Sequence, residues 1–235
     1  MGGSGPRTRC VVVFARTPPV EARAKGMPAA ARLFACARAR VLAAAAASGA
    51  DVLLSAPDLV GSPPGGTVAL PQRGRTFEER LRSAFADARA LGYSEIVVVP
   101  GDVPGLRADH LREALRRLRA CPTVLGPSPD GGVYLLGVRG EYEGVLAGVP
   151  WRSRRVHARL LANAPGAAVF PPLADLDGHA HLRALRAEAR LDAELALLVA
   201  ALLARSASSP ALTCALPLDP HRSPDACRPP PSLAA

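Results

Sequence analysis

The chain has 235 residues, of which 49% are hydrophobic and 21% are charged; this balance supports a folded core and excludes a chain that is disordered throughout. Aromatic residues make up only 4%, which disfavours a protein that binds single strands by base stacking. The net charge of +9 favours anionic partners. Because the arginines are scattered over several predicted helices, we expect no nucleic-acid partner.

Several other classes of protein are disfavoured by what the sequence lacks. No apolar run approaches the roughly 20 residues of a membrane span, and residues 1–10 lack the apolar stretch of a signal peptide, so we expect a cytoplasmic protein without a membrane span. The five cysteines form no CxxC pair, which disfavours a zinc site or a disulfide scaffold. Serine-hydrolase, P-loop and dinucleotide-binding motifs are absent. Homodimerisation stays open.

Apolar, β-branched runs alternate with amphipathic stretches along the chain, which predicts strands alternating with helices. Such alternation is typical of an α/β fold with a mostly parallel sheet. We assign residues 1–9 to a flexible leader, 10–205 to a single domain and 206–235 to a Pro-rich flexible tail. The predicted elements are, in chain order, strand Cys10–Ala15, helix Pro28–Ala47, strand Val52–Ser55, a helix from the capping box of Thr76 and Glu79 to Gly92, strand Glu95–Val99, helix Ala108–Arg119, strands Thr123–Leu125 and Gly132–Gly137, helix Val156–Leu161, strand Ala168–Phe170, and one or two helices within His179–Arg205.

The loop after the first strand carries three cations, Arg16, Arg23 and Lys25. Ligands of open α/β sheets bind at the carboxyl ends of the strands, and cations beside a helix start there suit phosphate. Arg23 and Lys25 are two residues apart, so in an extended loop both would point the same way. Lys25 is the only lysine of the chain. The alternative is a solvated basic loop.

Aspartates follow two further predicted strands. Asp102 comes directly after an all-apolar strand, where an unpaired carboxylate is costly to bury, and a divalent cation is one natural partner; the alternative is a turn or helix-cap aspartate. Asp175 and Asp177 have the i, i+2 spacing that places both on one side of an extended segment. Asp175 is either a second metal ligand or the partner of an arginine, whereas for Asp177 we favour a helix cap.

The segment Asp130-Gly131-Gly132 precedes a predicted strand. Paired glycines let a ligand approach the backbone closely, but they also form ordinary turns that the aspartate would stabilise. Trp151 is predicted to lie in the core or in a pocket wall.

Taken together, these segments resemble the small bacterial glycosyltransferase-A-like proteins, which include arsenosugar-biosynthesis-type glycosyltransferases and are related to molybdenum-cofactor and phospholactate nucleotidyltransferases. The resemblance implies a three-layer α/β/α nucleotide-diphospho-sugar transferase fold. The matching stretches occur in family order and span about residues 10–185: Val11 to Pro18, Gln72 to Gly74 with Phe77 and Arg80, Val97 to Leu106, Leu125 to Gly137, Val149 to Ser153, and Asp175 to Asp177 with Leu182.

The resemblance also implies roles for individual residues. Asp102, with Asp175 as a second ligand, would bind Mg²⁺ or Mn²⁺, and Asp102, Asp130 and Lys25 would be catalytic. The nucleotide would be held by Ala15, Arg16, Thr17, Arg23, Lys25, Gln72 and Arg80. The substrate would contact Asp130, Gly131, Gly132, Tyr134 and Trp151.

Three functions are compatible with this scaffold. The leading hypothesis is metal-dependent transfer of a glycosyl group from a nucleotide-diphosphate sugar to a small-molecule acceptor, with Asp130 as the base or acceptor-orienting group. The alternative is nucleotidyl transfer from a nucleoside triphosphate to a phosphate or phosphonate, which releases pyrophosphate. Here Pro100-Gly-Asp-Val-Pro104 tends toward the nucleotidyltransferase pattern. The third is a degenerate, non-catalytic nucleotide-binding protein, since the usual Lys-Thr-Arg-Leu motif is replaced by Arg23-Ala-Lys-Gly26.

Overall fold

A computed structural model describes residues 8–57, 65–178, 181–183, 186 and 193–207. Seven strands and seven α-helices alternate along these residues. The strands are β1 (Arg9–Phe14), β2 (Asp51–Ala56), β3 (Thr67–Pro71), β4 (Glu95–Pro100), β5 (Thr123–Pro127), β6 (Val133–Arg139) and β7 (Ala168–Val169). The helices are α1 (Pro18–Ala24), α2 (Ala31–Ala46, after a 3₁₀ turn at Pro28–Ala30), α3 (Phe77–Ala90), α4 (Ala108–Arg117), α5 (Glu143–Leu146), α6 (Val156–Asn163) and α7 (Ala193–Ala207).

The strands form one sheet in the order β3-β2-β1-β4-β6-β5-β7. Only β6 runs antiparallel to its neighbours, β4 and β5; the remaining pairs are parallel. The prediction of a mostly parallel α/β sheet is therefore confirmed. The carboxyl ends of β1, β4 and β5 and the start of β6 meet at one edge of the sheet, where the candidate functional segments follow.

Both faces of the sheet are covered, which gives the predicted three layers. Alternate residues of β1 point to opposite sides. Cys10 and Val12 belong to a core shared with Leu81 and Phe85 of α3, whereas Val11 and Val13 pack with α2 and α4. Since the side chains on both faces are apolar, the central strands are continuous hydrophobic runs.

The helix that follows β3 begins at the predicted capping box. The Glu79 N–H donates to Thr76 Oγ1 at 3.1 Å, and the Glu79 carboxylate accepts from the Thr76 N–H at 3.1 Å. Leu81, Phe85 and Ala88 then lie on the buried face. This cap fixes the start of α3 and places Phe77 and Arg80 at the edge of the sheet that carries the site.

Three short elements were not predicted. Residues 18–24, expected to be an extended loop, form α1, because Pro18 at the helix start is compatible with helical backbone angles. The edge strand β3 and the four-residue α5 are the others. Among the described residues no helix combines the length and the apolar character needed to cross a membrane. The predicted leader and tail fall almost entirely on residues 1–7 and 208–235, outside the described residues, and the boundaries of the single domain stay a prediction.

Candidate functional site

A pocket of about 880 Å³ opens at the carboxyl ends of β1 and β4. Residues from seven chain segments line it: the end of β1 with α1, the helix α2, Gln72 after β3, the start of α3, the end of β4 with the loop after it, the start of β6 with the turn before it, and the loop before α6. The segment after β7 closes it with Asp175, Asp177 and His181. The predicted convergence of the strand-end segments is therefore observed.

Three carboxylates form an acidic cluster in this pocket: Asp102, Asp175 and Asp177. One oxygen of each lies within 4.8 Å of the other two. Asp102 is only 6% exposed at the end of β4. Its carbonyl oxygen accepts a hydrogen bond from the Leu176 N–H at 2.9 Å, which fixes the segment carrying the other two aspartates against the β4 end.

Lys25, directly after α1, is the cation of the acidic cluster. Its Nζ lies 3.0 Å from Asp102 Oδ2 and also contacts the Asp177 carboxylate. Burial alone would lower the pKa of Lys25, but the charges and hydrogen bonds of the two aspartates outweigh it and raise the pKa above its usual range. Lys25 is therefore a fixed positive charge at the centre of the site.

Asp175 has the most perturbed carboxyl of the cluster. Burial raises its pKa to about 6, and the nearby charges of Asp102 and Asp177 act in the same direction. Its Oδ1 is buried without a hydrogen-bond partner in the described part of the chain. Three carboxylates balanced by one lysine leave an excess of two negative charges, and carboxylate oxygens are the ligands that Mg²⁺ and Mn²⁺ prefer. The cluster thus fits one divalent cation, because opposite Mg²⁺ ligands lie about 4.2 Å apart.

An aromatic group forms one wall of the pocket. The rings of Phe14 and Phe77 are 5.6 Å apart in an edge-to-face arrangement, and Phe77 and Trp151 are 5.2 Å apart. These contacts join the end of β1, the first turn of α3 and the loop before α6. Arg80, one turn after Phe77, lines the same wall.

The turn between β5 and β6 is packed against the loop before α6. The Gly132 N–H donates to Asp130 Oδ1 at 2.9 Å, and the Gly131 carbonyl accepts from the His157 N–H at 3.0 Å. Gly131 has φ +90°, and a Cβ there would overlap the carbonyl oxygen of Arg154. Glycine is required here by the packing of the loop.

Most of the predicted site residues line the pocket. They are Ala15, Arg16, Lys25, Gln72, Arg80, Asp102, Asp130, Gly132, Trp151 and Asp175. Gln72 also ties two strand ends together, since its Nε2 donates to the carbonyls of Ser55 at 2.9 Å and Ala15 at 3.3 Å. Their roles in binding and catalysis stay predictions.

Four predicted residues lie outside the pocket lining. Arg23 lies on the exposed side of α1, because the helix turns it away from Lys25. Its guanidinium donates to the carbonyl of Pro19. Tyr134 is 1% exposed in the core, and its hydroxyl donates to the Pro171 carbonyl. Thr17 precedes α1, and Gly131 packs beneath the Arg154 backbone.

The favoured assignment of Asp177 to a helix cap stays a prediction, because residues 179 and 180, whose N–H groups such a cap would bind, lie outside the described residues. The carboxylate of Asp177 contacts Lys25 and belongs to the acidic cluster. Asp175 has no arginine partner in the described residues. The prediction also missed lining residues that only tertiary packing brings to the pocket: Glu21, Arg38, Arg152 and Arg154. The i, i+2 spacing of the aspartates was the signal that could have identified Asp177.

Solved structures with this fold come from several bacteria. A Desulfovibrio desulfuricans G20 protein with the provisional description of nucleotide-diphospho-sugar transferase superposes with a TM-score of 0.70 at 22% identity, over 84% of this chain and 97% of the other. Rv0371c from Mycobacterium tuberculosis H37Rv gives a TM-score of 0.55 at 17% identity, over 77% and 98% of the two chains. The nucleotide-diphospho-sugar transferase fold is thereby confirmed.

Two sequence matches complete these similarities. The chain is 43% identical over 77 residues to the 3-phospho-D-glycerate guanylyltransferase of Phenylobacterium zucineum (strain HLK1), a match that covers 30% of this chain and 32% of that enzyme, about a third of its length. The second match, to the family described as "Uncharacterized protein conserved in bacteria (DUF2064)", extends over residues 29–153, more than half of the 235 residues, and the chain therefore belongs to this family.

Proposed function

We propose that the protein is a metal-dependent nucleotidyltransferase, which joins a nucleoside monophosphate to a phosphorylated small molecule. The acidic cluster with Lys25 at its centre is the observation that carries this proposal. An acceptor phosphate oxygen attacks the α-phosphorus of a nucleoside triphosphate, the bond from the α-phosphorus to the bridging oxygen breaks, and pyrophosphate leaves with that electron pair.

Asp102, Asp175 and Asp177 would hold the Mg²⁺ or Mn²⁺. The bound ion supplies charge neutralisation for the triphosphate and its leaving pyrophosphate. The solved structures of this fold include a complex of Rv0371c with manganese, at 17% identity to this chain.

The residues of the chain itself then bind and orient the triphosphate. Lys25 is placed to contact phosphate oxygens beside the acidic cluster. Arg16 lies at the other end of α1, before its first residue, and its guanidinium is 3.6 Å from the Glu21 carboxylate. Gly101 lets the backbone after β4 pass close to β1, because a Cβ there would be 2.8 Å from the Cβ of Ala15. The two strand ends that flank the phosphates are thus held together.

The chemistry of the acceptor distinguishes nucleotidyl from glycosyl transfer. A neutral acceptor hydroxyl is activated by a general base, the role that the sequence predicts for Asp130, whose Oδ1 accepts the Gly132 N–H of its own turn. A phosphate acceptor is anionic and needs no base. The similarity to a guanylyltransferase favours the phosphate acceptor and makes GTP the expected donor.

Glycosyl transfer is the second candidate. The similarity to the Desulfovibrio protein of nucleotide-diphospho-sugar transferase description favours it. The same cluster would then neutralise a nucleoside diphosphate as it leaves the sugar.

The products distinguish these candidates. The protein is incubated with Mg²⁺ or Mn²⁺, each of the four nucleoside triphosphates and 3-phospho-D-glycerate, and separately with nucleotide-diphosphate sugars. We expect acceptor-dependent pyrophosphate, and loss of it in Asp102→Asn but not in Asp109→Asn, an aspartate of α4 outside the pocket lining. Free nucleoside diphosphate without pyrophosphate would establish glycosyl transfer instead, and tight nucleotide binding without any product would establish the non-catalytic alternative.

A further inference from the structure

Two arginines of the pocket, Arg152 and Arg154, have no acidic partner. Lys25 is engaged by the acidic cluster and Arg16 by Glu21. In contrast, Arg152 and Arg154 are exposed, line the pocket, and form no ion pair or side-chain hydrogen bond with any residue of the described ranges. They are positive charges at the pocket for which the described residues supply no ion-pair partner.

The backbone holds these two arginines in a defined position. Arg152 is the only non-glycine residue with a positive φ, 66°, in the described part of the chain. This conformation costs about 1–2 kcal/mol for a residue with a Cβ and persists only where the surroundings impose it. Trp151, packed on Phe77, fixes one side of the loop, and the close packing of Gly131 against the Arg154 carbonyl fixes the other.

The loop 151–154 contacts both sides of the pocket. Arg16 follows β1 and Gln72 follows β3, so both lie on one side of β4, which carries Asp102. Trp151 reaches that side through its contact with Phe77. Arg154 instead packs on the turn at Asp130, which connects β5 to β6 on the other side of β4. Asp102 therefore lies between the strand ends assigned to the nucleotide and the turn that carries Arg154.

We propose that Arg152 and Arg154 form the acceptor subsite, and that the acceptor is a small molecule with at least two negative charges, of the phosphorylated carboxylic acid class. This inference rests on the proposed function, since it names the second substrate of that reaction. A guanidinium donates two parallel hydrogen bonds to a carboxylate or a phosphate, and two of them can hold both ends of such a molecule. With the carboxylate and the phosphate both held there, one oxygen of the acceptor phosphate points toward the α-phosphorus.

The test is a binding titration that needs no turnover. Isothermal titration calorimetry measures 3-phospho-D-glycerate, D-glycerate and inorganic phosphate, each added to the protein in the presence of Mg²⁺ and a non-hydrolysable GTP analogue. The variants are Arg152→Gln and Arg154→Gln, which keep a polar side chain, shorten it and remove the charge. The matched control is Arg155→Gln, since Arg155 is the next residue of the same loop, is exposed and lies outside the pocket lining.

We expect 3-phospho-D-glycerate to bind at least tenfold more tightly than D-glycerate and inorganic phosphate. Arg152→Gln and Arg154→Gln should each weaken it at least tenfold, and the lysine variants at both positions should recover part of the loss. Arg155→Gln should change it less than twofold, and the affinity for the GTP analogue should change less than twofold in all three glutamine variants. Thermal unfolding midpoints verify that the variants are folded.

The proposal is overturned if the three probes bind equally, if Arg155→Gln weakens binding as much as the other two variants, or if the two pocket variants lose the GTP analogue instead. In that last case the arginines belong to the nucleotide site. Because the titration measures binding alone, an absence of pyrophosphate release would refute the proposed function while leaving this result intact.

Discussion

At the scale of single residues, the site is governed by one lysine among three carboxylates. Lys25 is 20% exposed and Asp102 9% exposed at their side chains, so the pair is largely removed from water. Taking either partner away leaves an uncompensated charge in a partly buried cluster, which is far more destabilising than the loss of a surface ion pair. Lys25 and a divalent cation would contact the same carboxylate oxygens. Each can therefore compensate the carboxylate charges when the other is absent, and their contributions to stability can be measured separately.

Lys25→Met should therefore destabilise the metal-free protein by about 2 kcal/mol, and Mn²⁺ should restore most of that stability, because the ion takes over the compensation of the carboxylates. The measurement is urea unfolding in EDTA and in excess Mn²⁺. Arg23→Met, a neighbouring cation on the exposed side of α1, is the control and should show neither effect. Equal destabilisation of Lys25→Met with and without Mn²⁺ would contradict the metal assignment.

Asp175 gives the stability of the metal-free protein a specific pH dependence. Its folded-state pKa of about 6 lies above its ordinary value of 3.8, so the native state binds this proton more tightly, and stability is lost as pH rises from about 4 to about 6. Asp175→Asn removes this loss. Relative to wild type, the variant should gain about 1 kcal/mol between pH 4.5 and 7 after allowance for solvent screening.

Urea unfolding in EDTA at several pH values checks this expectation. The amide can shift the free energy of unfolding by a constant amount, so the test is the change in the difference with pH. Asp109→Asn, on the exposed face of α4, controls for the removal of one acidic group. A difference between Asp175→Asn and wild type that does not vary with pH would refute the raised pKa.

Individual site residues could be predicted from the sequence where a strand end determines their position. Asp102 follows β4 directly and lines the pocket. Lys25 lines it too, but α1, which the sequence did not predict, positions it. Arg23 does not, because the predicted extended loop is a helix and a spacing of two residues then points in different directions. Arg152 and Arg154 carry no local signal, since only the packing of a distant loop brings them to the pocket.

At the scale of elements, the turn before β6 and the loop before α6 form one unit. The turn positions the loop through Gly131, whose missing side chain makes room for the Arg154 carbonyl. Paired glycines predicted close approach of a partner to the backbone at this point. The partner is another segment of the chain, which the sequence pattern could not distinguish from a ligand.

Gly131→Ala should thus displace the loop and destabilise the protein. Gly140→Ala is the matched control, because Gly140 also has a positive φ, +86°, but open space where its Cβ would lie. Backbone strain alone predicts a loss of about 1–2 kcal/mol in the control. We expect Gly131→Ala to cost at least about 1 kcal/mol more and to weaken 3-phospho-D-glycerate binding in calorimetry, which Gly140→Ala leaves unchanged. Equal effects of the two substitutions would argue against the coupling of turn and loop.

The sequence predicted the central strands well and the edges poorly. Strands β1 and β4 are buried on both faces, so their apolar runs are unambiguous. The edge strand β3 has three of its five residues exposed, ends at a proline and lacks such a run. Short helices such as α1 depend on the packing of α2 and of the 3₁₀ turn that follows, which no local pattern encodes.

At the scale of the whole molecule, the sheet order brings the two halves of the site together. The reversal of β6 could not be derived from the alternation of elements, yet it places the turn at Asp130 at the same edge as Asp102. The net charge of +9 adds a general attraction for anionic ligands, whereas the acidic cluster creates a local site of the opposite sign. Triphosphate binding should therefore depend strongly on the divalent cation.

This dependence can be measured as stabilisation of the entire fold. A ligand at about 100 times its dissociation constant stabilises the native state by about 2.7 kcal/mol, which raises the unfolding temperature of a domain of this size by roughly 5–10 °C. We expect GTP with Mn²⁺ to produce such a shift in wild type, and GTP with EDTA to produce far less. Asp102→Asn should abolish the part of the shift that requires Mn²⁺, because the substitution removes one negative charge from the cluster, while Asp109→Asn should retain it. A full Mn²⁺-dependent shift in Asp102→Asn would mean that the metal and the triphosphate meet somewhere other than the end of β4.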